Sequence, residues 1–491
     1  MPSGSFVNPM YIIAPSSFNG PQTEMWVHLP DVLEFFFVAH PPSGRCEGEE
    51  HKRVMYFYPK GETLDRQTEI TGFAEAVVNF TDNFVNPNDN AEKPEFPHRT
   101  VLTQKFEHVY IQVEDCEFLI GLSLSKIQCA AAGYSIFLPA IQNVLTDTYK
   151  MFRLFFGKFR PFRKNDQQKF TERLEYFFGR YLPLLKLHRM PLLDYLSGAA
   201  FLRLDGPTYL NVVTMSSELL EEFPIIQKLL VLYQDKVLYY SLSRRDLPSM
   251  FRYLTQSLLP MTIGDELDCQ SRLSQGRFLR GPSDLCVDTP LVGHDALPTV
   301  FLFNCVEDDD AEELVKYQMM VYRCLNATVC MFTDQEVTRM LMRNIDAYLG
   351  SELSTVASQI GDYVGGQNPD MPSTLDFHYI YFNPASLSLN SSFMESAEIS
   401  KPRFPPPEVN KLVCSSLSNF LSESDEFGEV FAKSELDWWI VLKKAFLTSF
   451  QVNSRLLCLL LPPSSSQQSL ADVQARSVAI VKTHFEAIFF N

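Results

Sequence analysis

The sequence predicts an α+β protein of three modules, each a meander antiparallel sheet with helices on both faces. Three observations carry this. The chain has 491 residues, which at roughly 150 residues per domain is room for about three. One order of elements (strands, a helix, a meander, then one or two helices) runs along it three times. No fixed-period repeat of sequence accompanies it, so a solenoid is not expected. The strand candidates, VLEFFFVAH among them, are apolar on both faces. A sheet with one wet face alternates cleanly, so helices must cover both faces here.

The first module spans residues 31–187. Residues 1–30 read as a flexible tail, with neither the basic start nor the long apolar stretch of a signal peptide. VLEFFFVAHPP and RVMYFYPKG are strands joined by PPSGRCEGEE. RQTEITGFAEAVVNFTDNF is a helix: Ile70, Phe73, Ala74, Val77, Phe80 and Phe84 recur at helical spacing and are expected to face the core. Glu69, Glu75, Asn79 and Asp82 fall on its other side. RTVLTQKFEHVYIQVEDCEFLIGLSL gives up to three strands. Two helices follow, striped by Phe137, Ile141, Val144, Leu145, Phe152 and Phe155, then by Phe170, Leu174, Phe177, Tyr181 and Leu185.

The second module, residues 188–365, opens on a strand, GAAFLRLDG. KLLVLYQDKVLYYSL is a hairpin turning at Gln234-Asp235. A short amphipathic helix, three strands and a long helix from Val337 to Tyr363 complete it. VGGQNPDMPST marks a linker at 366–375. The third module, 376–491, repeats the rhythm. In it SELDWWIVLKK places Trp438 and Trp439 side by side on one strand. Adjacent strand residues point to opposite faces, so both rings are expected to be largely buried, one under each helix layer, as structural core.

The net charge of −17 argues against a general binder of phosphate backbones, whose affinity rests on clustered Lys and Arg. The ten cysteines form no Cys-x-x-Cys pair, and the nine histidines never pair at helical ligand spacing. There is no phosphate-binding loop, nucleophile elbow or zinc-protease motif, and G-x-G-x-x-G is absent. No cofactor, metal or catalytic residue is therefore expected. VEDDDAEEL lacks the glycine and glutamate of a calcium loop and reads as a turn. LFFGKFRPFRKN interleaves Lys158, Arg160, Arg163 and Lys164 with Phe159 and Phe162. That pattern fits either an anionic membrane surface or an interhelix loop whose phenylalanines pack inward.

Several blocks together resemble one family: TGFAEAVVNFTDNF, ERLEYFFGRYLPLLKL, LLDYLSGAAFLRLDGPTYL, LYQDKVLYYSL, GRFLRGP, DFHYIYFNP, SELDWWIVLKK and HFEAIFFN. In this order they are similar to the calcium-caffeine-zinc-sensitivity family of vacuolar fusion proteins, from about Asp31 to the last residue. The resemblance implies three longin domains, each a five-stranded antiparallel sheet with one helix on one face and two on the other. It implies a heterodimer, through the first longin domains, with a second three-longin protein, the monensin-sensitivity partner; in animals a scaffold subunit joins. It further implies that the pair is a guanine-nucleotide exchange factor, without covalent chemistry, for a late-endosomal Rab GTPase of the Rab-seven type. The protein would then be cytosolic and recruited peripherally to endosomal, lysosomal or vacuolar membranes, with an anionic lipid surface as a further partner. The helix from Arg66 to Phe84 is the best-matched block of the first domain. On this reading its Arg66, Glu69, Thr71, Glu75, Asn79 and Asp82 would help form the GTPase platform. A longin-type adaptor that binds a GTPase without exchanging its nucleotide is the alternative.

Overall fold

A computed structural model describes residues 25–84, 94–165, 167–260, 276–279, 297–304, 313–366, 375–394, 403–422, 428–445, 455–464 and 468–485. The first domain begins with β1 (Trp26–His28), the single turn α1 (Leu29–Val32), β2 (Leu33–Ala39) and β3 (Val54–Tyr58). Next come α2 (Leu64–Asp82) and the meander β4 (His98–Leu102), β5 (Phe106–Val113) and β6 (Phe118–Ser125). α3 (Lys126–Ala131), α4 (Leu138–Phe156), α5 (Phe159–Asn165), α6 (Gln167–Leu184) and β7 (Lys186–His188) close it. α7 (Pro191–Leu196) leads to the second domain: α8 (Gly206–Glu222), β8 (Ile226–Tyr233), β9 (Lys236–Tyr240), α9 (Leu247–Tyr253), β10 (Arg277–Leu279), β11 (Thr299–Phe303), β12 (Leu314–Cys324), β13 (Ala327–Thr333) and α10 (Arg339–Gly366). The third holds β14 (His378–Asn383), β15 (Ser388–Ser391), α11 (Pro407–Ser422), β16 (Glu429–Lys433), β17 (Trp439–Ala445), β18 (Arg455–Leu461) and α12 (Leu470–His484).

The three sheets share one antiparallel topology. Their orders are β3-β2-β6-β5-β4, β9-β8-β13-β12 with β10 and β11 on the outer edge of β12, and β15-β14-β18-β17-β16. In each, the first strand lies second from one edge and pairs with the last, which is central, so a helix must cross a face before the meander begins. In the first domain α2 covers one face, while α4 and α6 cover the other. The fold is thus α+β with helices on both faces of each sheet, as the doubly apolar strands required.

Two expectations are corrected. Residues 26–30 of the expected tail are ordered: β1 pairs with β7, and the Trp26 ring lies 3.8 Å from that of His188. Residues 1–24 lie outside the described residues. GAAFLRLDG is not a strand; Ala199 and Phe201 make single bridges, to Ser388 and Val237. α7 joins the third domain's core through Leu192, Leu193 and Leu196.

α4 is buried nearly all round, as a helix apolar on every side must be. Val144 and Phe152 face the first sheet's core. Phe155 meets Tyr253 of α9 at 4.8 Å, and Arg153 lies over Phe303 of β11 at 4.6 Å. Phe137, which precedes the helix, meets Tyr195 of α7 at 5.5 Å. Within this apolar packing sits an ion pair, Asp147 with Arg252 of α9 at 3.2 Å. Ser197 donates to the same Asp147 carboxylate at 2.8 Å. At the seam between the first two domains, Asp246 accepts from the Phe303 amide at 2.8 Å. Burial pushes its pKa up to about 6, against the opposing pull of that hydrogen bond and of Arg153, Lys228 and Lys150.

Asp147→Ala would remove the ion pair of the half-buried Arg252, which keeps Tyr181 and Asp194 beside it, and should cost about 1–3 kcal/mol in denaturant unfolding. For Asp246 the folded-state pKa lies above the ordinary 3.8. The folded state therefore holds the proton longer than the unfolded chain does. This contribution to stability is complete below about pH 4 and is lost as pH rises through about 6. Asp246→Asn should flatten that part of the stability–pH curve, measured by urea midpoints from pH 4 to 7.

Candidate functional site

α2 is the helix named by the family resemblance, and its orientation decides what it offers. Thr63 caps it, accepting from the Arg66 amide, and Asp65 sits favourably in its first turn. Below it the sheet presents rings: Phe35, Phe37, Phe57 and Tyr110. Gly121 lets two of them close over β6, since a Cβ there would stand 2.3 Å from Phe37. That face is already filled, so α2 comes down on its small residues, Thr71, Ala74 and Val78. Ile70 and Val77 flank them, half-buried. The Thr71 hydroxyl is satisfied by Gln67 O at 2.9 Å.

The expected core stripe is therefore half inverted. Phe73, Phe80 and Phe84 are 49%, 65% and 71% exposed, with Leu64 at 53%. Phe80 and Phe84 touch edge to face, centroids 5.0 Å apart. Positions 66, 69, 73, 76, 80 and 84 succeed one another by three or four residues, so they form one outward ridge. Arg66 and Glu69 head this ridge and pair loosely at 3.5 Å.

The structure sorts the other expected platform residues. Thr71 is fully buried and cannot take part. Glu75 is held by Arg53 at 2.7 Å, and Asp82 by Arg99, which also donates to Thr81. These pairs clamp the flanks of α2 to its own domain. Asn79 is exposed beside the ridge. The aromatic ridge escaped the sequence reading because burying phenylalanine is the ordinary rule. The signal that could have found it is the small-residue stripe Thr71, Ala74, Val78, set against strands crowded with rings.

Much of the basic segment is folded into its own domain. Phe159 is fully buried among Phe118, Phe152, Phe170 and Tyr149. The Glu114 carboxylate, at the β5–β6 turn, receives the amides of Phe159 and Arg160 and the Tyr149 hydroxyl. Arg160 also pairs with Asp115 and Glu117, at 2.9 and 2.8 Å, and Arg163 donates to Ser43 at 2.7 Å. Lys158 and Lys164 remain exposed; the Phe162 side chain lies outside the described residues.

In the third domain the two tryptophans do take opposite sides. Trp438 is buried in the core beneath α11, with His378 stacked 6.4 Å away. It precedes the strand, closing the turn that Ser434 stabilises by donating its amide to Trp438 O at 2.8 Å. Trp439 opens β17 on the α12 side and is only half-buried, with Lys433 over its ring at 5.7 Å. Of the acidic run VEDDDAEEL, residues 306–312 lie outside the described residues.

Three family models match. Residues 33–157 match the one described as the first longin domain of INTU, CCZ1 and HPS4. Residues 226–350 and 373–453 match Intu longin-like domains 2 and 3. Curated relatives extend the likeness along the chain. A protein of Nematostella vectensis named vacuolar fusion protein CCZ1 homolog is 28% identical over 93% of this chain and 97% of its own length. One so named in Danio rerio is 27% identical over 98% and 100%. One in Dictyostelium discoideum is 22% identical over 86% and 91%. The chain belongs to the CCZ1 family of vacuolar fusion proteins. Its three longin-like domains are the family's, and the first model covers all of α2, with the ridge from Arg66 to Phe80 and on to Phe84. No helix among the described residues is long and apolar enough to cross a membrane.

Phe159, buried, and Phe80, exposed, should behave oppositely. Phe159→Ala should cost about 3–5 kcal/mol, and Phe80→Ala no more than about 0.5 kcal/mol, in paired urea titrations. A reversed ranking would mean that α2 lies the other way up.

Proposed function

We propose that this chain is one subunit of a guanine-nucleotide exchange factor for a late-endosomal Rab GTPase. It pairs through its first longin domain with a second three-longin protein of the monensin-sensitivity type. The observation that carries this reading is the α2 ridge. Three exposed phenylalanines in one row, on the single helix of that sheet face, are surface that a docked protein covers. The charged head of the ridge, Arg66 and Glu69, gives that contact a polar rim. The rest of the helix is pinned by Arg53 and Arg99, so the ridge is presented rigidly and little freedom is lost on docking.

Exchange by such a subunit needs no reacting group. The GTPase holds its nucleotide through phosphate and magnesium contacts. A surface that binds the emptied conformation more tightly than the loaded one lowers the barrier to release. The complex would work at late endosomal, lysosomal or vacuolar membranes, recruited from the cytosol. In animals a third, scaffold-like subunit would join it.

The test is release of labelled GDP from candidate late-endosomal Rabs, by this chain alone and co-purified with its partner. Acceleration is expected from the pair only. Phe73→Asp with Phe80→Asp should abolish it. Each removes an anchor worth about 2 kcal/mol, near thirtyfold in affinity. Loss of co-purification would assign the ridge to the partner subunit; an intact pair that no longer exchanges would assign it to the GTPase. A clean GTPase-binding pair without exchange would make the protein an adaptor instead.

A further inference from the structure

Near one end of the third sheet, Phe382 of β14, Leu456 of β18 and Lys444 of β17 stand opposite one another in a single row. Across from that row lies the start of α4, in the first domain. Between the two is a cavity of about 560 Å³. Small-molecule sites occupy roughly 300–1,000 Å³ and favour such boundaries between domains. Every residue that lines the cavity is among the described ones.

Its wall is chiefly apolar. Pro139 of α4, Leu196 of α7 and Leu421 at the end of α11 meet Phe382, Pro384 and Leu456 on the side of the sheet. Leu196 and Leu456 are buried, and Leu421, 43% exposed, marks the mouth. The polar groups in this wall are few. Asn143 is engaged, donating to Tyr195 O. The Gln142 carboxamide and the Tyr195 hydroxyl have no hydrogen-bond partner among the described residues.

Lys444 is the one charged residue of the lining, which holds no carboxylate. Its ammonium is half-buried, donates to Phe420 O at 2.7 Å and lies over the Phe420 ring at 4.4 Å. Those contacts fix its place and leave its charge unanswered, since no carboxylate of a described residue pairs with it. Against an apolar wall, a fixed cation attracts an anion more strongly than it would in open water. One ammonium matches one negative charge. A carboxylate carries one, whereas a phosphate monoester carries about two at neutral pH.

We propose that this cavity binds a small amphipathic carboxylate, with its apolar body against Leu196, Phe382 and Leu456 and its head on Lys444. The lining comes from the first domain through α4 and from the third through its sheet and α11. An occupant therefore fits only the docked arrangement of the two and stabilises it. The cavity lies on the opposite side of the first sheet from the α2 ridge, and the proposal does not depend on the exchange activity.

The full chain is titrated calorimetrically with dodecanoate, dodecanol and dodecyl phosphate, each below its micelle concentration. Dodecanoate should bind one to one, and about tenfold more tightly than either of the others. Lys444→Met should lower dodecanoate affinity about tenfold and leave that of dodecanol unchanged. Leu421→Trp, at the exposed mouth, fills the cavity and should weaken both at least tenfold. In the unsubstituted chain, dodecanoate should slow amide hydrogen exchange at Tyr195, Leu196 and Leu456 at least threefold, with α12 unaffected. If Lys444→Met lowers the urea midpoint, Leu421→Trp and the exchange pattern decide. Absence of saturable dodecanoate binding overturns the proposal. So does binding that Leu421→Trp leaves unchanged, or that leaves those three amides as they were. Dodecanol or dodecyl phosphate binding as tightly as dodecanoate overturns it equally.

Discussion

Everything in this molecule is arranged around α4. Among the described helices it is shared by two domains: one side closes the first sheet, another seats α9 and β11 of the second. Its start meets α7, which is inserted in the third domain's core. Such a helix cannot carry an ordinary polar face, and it has almost none. Two of the charges it carries reach across to the second domain. Asp147 faces Arg252, and Arg153 lies over Phe303. A buried pair like Asp147–Arg252 is weak evidence for net stability, because both charges lose their water. What it supplies is position. Breaking either side takes away the other's opposite charge, so the native docking of α9 on α4 is favoured.

The same packing explains why α2 is so different. The far side of the first sheet is filled with rings from β2, β3 and β5. A helix laid on such a surface comes close only by offering small side chains, since interiors have no room for a second layer of rings. Thr71, Ala74 and Val78 provide that. The phenylalanines of α2 have nowhere to go but outward. An apolar ridge results from the sheet's own composition, and the ion pairs with Arg53 and Arg99 keep the helix from rolling to bury it.

Module count and, apart from GAAFLRLDG, the order of elements were legible in the sequence because they rest on chain-wide patterns. The turn at Gln234 is an instance: β8 ends at Tyr233, β9 starts at Lys236, and Gln234 takes the left-handed conformation that a two-residue hairpin needs. Periodicity also found α2. It could not choose between two apolar stripes on one helix, because the deciding fact is what lies beneath, and that comes from strands distant in sequence. The segment from Lys158 to Lys164 stayed open between two readings for a related reason. Its Arg160 is answered by Glu114, Asp115 and Glu117 at a hairpin tip some forty residues earlier. Charge patterning along the chain cannot show such a partner. Trp439 was half legible: its side of the sheet was right, but its position at the strand's start leaves the ring only partly roofed.

Rigidity ties these features to the nucleotide exchange proposed above. A surface that acts by favouring one conformation of its partner must not yield to the other, since a compliant surface would bind both and discriminate neither. The first domain is stiffened from both sides, by α4 packed into two cores beneath its sheet and by flank ion pairs holding α2 above it. The third domain is tied in through α7, and the β1–β7 pairing holds the start of the described chain against that same connection. The ridge of α2 is therefore the free face of an otherwise braced body. A phenylalanine row on such a body can contribute nearly its full burial to a complex, because little else has to be ordered when the partner arrives.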